Sequence, residues 1–215
     1  MPPSHHYHFL TYWRVPGTVE EVKAVLADPT DLPRWWPSVY LAATRLRPGD
    51  ETGLGQEVEL HTKGWLPYTL RWSFKVVEVH PNGLTLDARG DLNGRGLWTF
   101  VPDGPDVILV YDWNIRADKP LLRALSPLLK PLLETNHRWA MARGEESLKL
   151  ELARRRAPAG LQPVPVPAPP GPTRWPRPST ALVGAAGLLA GLWLLTRPRS
   201  KKDLTAKSAK GAKKS

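Results

Sequence analysis

Few side chains in this sequence have the type and spacing to do chemistry. The 215 residues include no cysteine, which excludes thiol nucleophiles, disulfides and cysteine-based zinc sites. No Ser/His/Asp order, no pair of carboxylates at a recognisable spacing and no His/carboxylate metal motif stands out. His5, His6 and His8 cluster, but a frayed N-terminus is their expected home, and neither a metal nor a cofactor is expected. The glycines around 53–55 and 94–96 lack a third glycine and a following helix, so no phosphate loop is implied. Arg89-Gly90-Asp91 is read as a chance tripeptide. The polar candidates that remain are His61, Asp112, Asn114, Arg116, Asn136 and His137. Beside them stands an unusual aromatic pair, Trp35 and Trp36, in the stretch DLPRWWPSV. A platform for stacking sugars or bases would want neighbouring aromatics and donors, and this stretch supplies mainly prolines.

The elements that must position these groups follow from periodicity. A first strand reads His8 to Val15. In VPGTVEEVKAVLADP, Thr18 has Glu21 three residues on, the capping-box spacing. Val19, Val22, Val25 and Leu26 then form one apolar helix face, and Pro29 stops it. A short proline-bounded helix carries Trp35 and Trp36. From Val39 to Arg116 the dominant period is two. Val58, Leu60 and Thr62 alternate with Glu57, Glu59, His61 and Lys63, and Leu70, Trp72, Phe74 and Val76 with Arg71, Ser73, Lys75 and Val77. Val107, Leu109, Tyr111, Trp113 and Ile115 form a third such set. Turn signals at Arg47-Pro48-Gly49-Asp50, Pro81-Asn82-Gly83, Asn93-Gly94 and Pro102-Asp103-Gly104 separate the strands. The pattern is an antiparallel meander of six or seven strands with one aromatic-rich face. Alternation places Asp112 and His61 on the outer face. From Pro120 the spacing becomes helical. Pro127 and Pro131 suit a first turn or a kink, so a short helical piece is expected, then a long helix over about 131–155 with Ala140 and Gly144 facing the sheet.

Composition divides the chain. The net charge of +10 sits almost wholly in the tail: residues 1–156 carry 20 basic against 19 acidic groups, and residues 157–215 carry 10 against one. A nearly neutral domain gives little support to DNA binding. Four segments result: a folded domain 1–156, a proline-rich linker 157–178 expected to be an extended spacer, an uncharged apolar segment 179–196, and a basic disordered tail 197–215. There is no internal repeat, and the N-terminus lacks the basic and apolar regions of a secretory signal.

Strand, two short helices, antiparallel meander and closing helix is the order of a helix-grip, α+β fold. The stretches VPGTVEEVKAVLADPTDLPRWWPSV and ETNHRWAMARGEESLKLEL resemble the START-related SRPBCC superfamily, in its polyketide cyclase/dehydrase-like branch. The resemblance covers about residues 6–155 and implies a curved sheet gripping the long helix around an apolar cavity for a lipid, steroid or polyketide-like ligand. Any one inward aromatic is ordinarily core filling. As a set they fit a cavity wall, because a curved sheet on one helix has more concave area than side chains readily fill. The expected wall is Trp36, Leu60, Tyr68, Trp72, Phe74, Tyr111, Trp113, Asn136 and Ala140, with Leu70, Leu86 and Leu109 also facing inward. Asn136 and His137 on the long helix either touch the ligand or hold the sheet edge. One of Trp35 and Trp36 is expected to pack inward as a wedge, with the other at the cavity mouth or on the surface.

Residues 179–196 would span ~27 Å as a helix, short for a bilayer yet within the usual range, and Gly187 and Gly191 have helix-pairing spacing. Insertion into a membrane is the expectation. Two basic residues precede the segment and eight follow it within twenty residues. That bias would leave the tail inside and the domain outside, whereas a domain without a signal peptide stays in the cytoplasm. The expectation is a membrane-associated protein with a cytoplasmic domain, either tail-anchored or held by a monotopic segment whose lysines rest on anionic headgroups. Nucleic acid is the weaker partner for that tail. The functional expectation is a membrane-tethered binder of an apolar small molecule or lipid. The alternative is a cyclase/dehydrase-type enzyme acting in the same cavity.

Overall fold

The computed structural model describes residues 6–117, 120–157 and 165–173. In chain order these form β1 (His6–Pro16), α1 (Val19–Leu26), a single 3-10 turn (Pro29–Asp31), α2 (Leu32–Trp35), β2 (Tyr40–Arg47), β3 (Glu57–Lys63), β4 (Thr69–His80), β5 (Gly83–Gly90), β6 (Leu92–Asp103), β7 (Asp106–Ala117) and α3 (Pro120–Arg156). The seven strands make one antiparallel sheet in the order β1-β7-β6-β5-β4-β3-β2, and α3 closes over its inner face. This is the helix-grip arrangement.

Strict alternation builds the inner face. Along β7, Val107, Leu109, Tyr111, Trp113, Ile115 and Ala117 are buried, while Asn114 and Arg116 point out. Trp13 and Val15 of β1 are buried, and Trp13 lies opposite Leu109. A bulge between Val76 and Glu78 of β4 breaks the alternation near the end of that strand. At the N-terminus of α1 the capping box forms as the spacing requires: Glu21 N–H donates to Thr18 Oγ1 at 3.3 Å and Thr18 N–H to Glu21 Oε2 at 2.8 Å.

Four expectations are corrected. His6 and His8 belong to β1 and not to a frayed end, because β1 pairs with β7 from His6↔Arg116 onward. The Asn93-Gly94 pair lies inside β6. The turn is at Gly90-Asp91, where the Asn93 side chain donates to Gly90 O (2.7 Å) and accepts from Gly90 N–H (3.2 Å), so its turn-forming chemistry acts backwards. The helix does not restart near residue 131: α3 runs unbroken from Pro120 to Arg156 through Pro127 and Pro131. Each proline removes one backbone bond from the ladder, yet the flanking turns carry the helix on. Finally, residues 165–173 of the proline-rich linker are not a free spacer. They lie against the domain, with Arg154 Nη2 donating to Pro167 O at 3.2 Å and Lys63 Nζ to Thr173 O at 2.6 Å.

The far end of α3 is fixed by charge. Glu151, 2% exposed, accepts two bonds from the Arg34 guanidinium (2.8 and 3.0 Å), one from Arg154 (2.6 Å) and one from Arg155 (2.8 Å). Burial alone would raise its carboxyl, but the three arginines outweigh burial and hold it down at about 2. Arg156 pairs with Glu21, at 2.7 Å from each carboxylate oxygen, and donates to Pro16 O at 2.9 Å. The last turn of α3 is thereby tied to α2, α1 and β1, which sets how far the helix stands above the sheet.

Candidate functional site

Among the described residues, two cavities lie between the sheet and the helices that cover it. The first, about 150 Å³, is bounded by Tyr7 and Phe9 of β1, the β3–β4 corner (Lys63, Gly64, Tyr68) and the α3 residues Leu133, Asn136, His137 and Ala140. The second, about 120 Å³, lies under α1 and α2 and is bounded by Trp13, Val25, Leu32, Trp35, Leu60, Phe74 and Trp98 among others. Five side chains border both: Trp36, Tyr40, Trp72, Tyr111 and Met141. They form a partition, and four of the five are aromatic.

The aromatic packing shows how the partition is held. Trp36 meets Tyr40 edge-on (centroids 5.0 Å, 67°) and Trp13 likewise (5.4 Å, 68°). Tyr111 stacks on Trp98 at 4.2 Å and 14°, and on Trp113 at 5.4 Å and 22°. This stack lies over Gly96, where a Cβ would come within 2.7 Å of both the Tyr111 hydroxyl and Trp113 Cε3, so a larger residue there would displace the rings. Met141 is the one unbranched, aliphatic member, able to change rotamer where the rings cannot.

Polar groups are few and mostly committed. Asn136 Oδ1 accepts from Trp65 N–H (2.9 Å) and Leu66 N–H (3.2 Å), and its Nδ2 donates to Tyr68 Oη at 3.5 Å. Asn136 therefore both borders the first cavity and fixes the 64–68 corner at its edge. Trp72 Nε1 donates to Thr62 Oγ1 at 3.1 Å. His137 stacks on Phe9 with centroids 3.9 Å apart. Burial, helped by the neighbouring Arg138 charge, pushes its imidazole down to about 4, and its Nε2 is buried without a hydrogen-bond partner. Burial raises the phenols of Tyr40 and Tyr111 and takes Tyr68 up to about 12.

Each residue expected in the wall borders a cavity. Tyr68, Trp113, Asn136 and Ala140 border the first, Leu60 and Phe74 the second, and Trp36, Trp72 and Tyr111 both. Leu70 and Leu86 border one cavity each, while Leu109 is sealed in the core. Of the polar candidates only Asn136 and His137 border a cavity. Asp112 is on the outer face, bonded to His8 Nε2 (3.0 Å) and Asn114 Nδ2 (2.8 Å), and Asn114 and Arg116 are exposed. Neither tryptophan of the pair reaches the surface: Trp35 is 1% and Trp36 5% exposed. The expected division between wedge and mouth becomes one between a wall of the second cavity and the partition itself. Sequence reasoning missed Tyr7, Phe9, Lys63 and Met141. Tyr7 and Phe9 precede or barely enter the expected first strand. Met141, one helical turn beyond His137, offered a usable signal. Among the described residues no group of His, Asp and Glu could hold a metal, and no helix is long and apolar enough to cross a membrane. Residues 179–196 lie outside them.

A curved antiparallel sheet gripping one long helix over apolar cavities defines a helix-grip protein of the START-like class. The chain belongs to the polyketide cyclase/dehydrase and lipid transport family, whose model matches residues 12–152. Similar solved structures include the ZhuI aromatase/cyclase from a Streptomyces species (TM-score 0.58, 19% identity, 73% of this chain and 99% of that one). A protein from Thermus thermophilus gives TM-score 0.56 at 16% identity, over 70% and 99% of the two chains. A START superfamily protein from Mycobacterium smegmatis gives 0.52 at 16%, over 69% and 98%. At these identities the likeness is one of fold. No curated protein matches the chain.

Proposed function

We propose that this protein binds an apolar small molecule or lipid between sheet and long helix, and that residues 179–196 tether it to a membrane. The observation that carries the binding reading is the pair of aromatic-walled cavities meeting at one shared partition. A cavity near 150 Å³ admits a ligand of about benzene size, so a larger apolar ligand would have to occupy both, displacing Met141. The wall offers few polar groups, which suits a mostly apolar ligand.

The family and the aromatase/cyclase likeness raise a second reading, a cyclase/dehydrase-type enzyme in the same cavities. Acid–base catalysis wants groups that titrate near the working pH. His137 is held neutral down to about 4 with Nε2 sealed, and Tyr68 ionises only near 12. Both are poor proton-transfer groups, so binding without turnover is favoured.

Native mass spectrometry of the full chain purified from its host tests the binding reading. A retained apolar molecule is the expected result, and a chain that stays empty and refuses a panel of lipids and polycyclic ligands rejects it. For the tether, the proposed arrangement is a cytoplasmic domain with the basic tail resting on anionic headgroups. The full chain should float with vesicles containing phosphatidylserine, and a chain ending at residue 178 should not. Equal behaviour of the two rejects the tether, and flotation replaced by retention on nucleic acid would reassign the tail.

A further inference from the structure

The proline-rich segment holds the domain at two points, and one of them is the edge of the first cavity. Five of the nine residues 165–173 are proline, so the segment offers nine carbonyls but few N–H donors. Both pins use that chemistry. A cationic side chain from the domain donates to a main-chain carbonyl, Arg154 to Pro167 O and Lys63 to Thr173 O. From Pro167 to Thr173 a polyproline-like segment covers ~19 Å at ~3.1 Å per residue. That is the scale of the ~27 Å of α3 between Arg154 and Asn136, so the segment runs back along the domain from the end of α3 towards the 64–68 corner. Val166, Pro169, Pro170 and Thr173 are half-buried along the way.

Lys63 borders the first cavity and directly precedes the corner that Asn136 holds through Trp65 and Leu66. The corner is therefore held twice, from α3 by Asn136 and from outside by the strap through Lys63. We infer that residues 165–173 are a cis-acting clasp on the 64–68 corner, and that its release opens the first cavity to ligand exchange. This rests on the binding reading for its purpose, but the clasp is a contact that can be read without any ligand. The prolines matter because they pre-set the extended backbone. A glycine-rich strap of equal length keeps the carbonyls but loses far more chain freedom on docking, and so stays off.

The test compares the full chain with a version in which residues 165–173 are replaced by nine alternating Gly and Ser. Two readouts are taken: stopped-flow association and dissociation of N-phenyl-1-naphthylamine, and hydrogen exchange of the Trp65 and Leu66 amides. Both probe rates should rise three- to tenfold in the Gly/Ser version, with amide exchange faster by a similar factor. The chain has no native thiol, so the converse is clean. Joining Lys63→Cys and Thr173→Cys with a short bis-maleimide should slow probe exchange below that of the uncrosslinked double variant. Probe rates unchanged by both manipulations overturn the clasp. If no version binds the probe, the cavity reading fails and amide exchange alone decides: acceleration upholds the clasp on the corner, and unchanged exchange overturns it.

Discussion

The ring of Trp36 sits directly on Gly144 of α3. A methyl group at that glycine would be built into the six-membered ring of Trp36 and would lie 2.7 Å from Trp13 Cη2. On an open helix, Gly→Ala is worth about 1 kcal/mol of added stability. Here overpacking against two indoles costs ~1–3 kcal/mol, which offsets that gain, so Gly144→Ala should bring no added stability and should destabilise the protein by up to about 2 kcal/mol in urea unfolding. In a Trp36→Leu background the same change should cost less, because part of the obstruction is gone. Equal losses in both backgrounds would show that the helix, not the indole, sets the penalty.

Met141 closes the partition where the other four members are rings. Met141→Ala should lower stability by ~2–5 kcal/mol through lost packing while joining the two cavities into one. The discriminating measurement is calorimetry with apolar ligands of increasing length. Those too long for a single cavity should gain at least tenfold in affinity, while a benzene-sized ligand should change little. A uniform loss across the series would mean that the cavities do not act as one site.

Glu151 is the acceptor on which Arg34, Arg154 and Arg155 converge. Glu151→Gln keeps the shape, removes the charge and leaves three guanidiniums around a neutral amide. Removing one partner from a buried ion pair costs ~3–5 kcal/mol. The arginines here are 31–48% exposed and can rehydrate, which puts the expected loss at the low end, about 3 kcal/mol by chemical denaturation. A loss below about 1 kcal/mol would mean the cluster is decoration on a helix end held by packing alone.

Much of this architecture is legible in the residues, and its failures have physical causes. Period-two alternation on β3, β4 and β7 placed Leu60, Trp72, Tyr111 and Trp113 inward because a strand has only two faces. The capping box at Thr18 is local chemistry and needs no tertiary help. The break expected at Pro131 did not occur, because a proline's lost bond is a local cost that a long helix with intact flanking turns absorbs. Trp36 as part of a partition was not legible, since that role depends on Met141 and Gly144 of α3, which folding brings to it from a distant part of the chain. The docked strap was hidden for a related reason: proline-rich composition predicts the extended backbone but not the Lys63 and Arg154 side chains that catch its carbonyls.

His137 gives the protein a pH dependence of defined sign. Its folded-state imidazole titrates near 4 because burial disfavours the cation, whereas in the unfolded chain it titrates near ~6.5. The unfolded state therefore binds the extra proton between those values, and stability falls as pH drops from about 6.5 towards 4, by roughly 3 kcal/mol over the window. The carboxylates act lower. Glu21 is held at about 2 by Arg156 and the Thr18 N–H, and Glu151 by its arginines. Their contribution is complete above the unfolded carboxylate range near ~4.3 and is lost as pH falls towards 2. Urea unfolding from pH 8 to 3 should thus show two legs. His137→Phe, which preserves the stack on Phe9, should flatten the upper leg and leave the lower one. An upper leg of undiminished slope in that variant would assign the dependence to other groups and remove the basis for treating His137 as a permanently neutral part of the cavity wall.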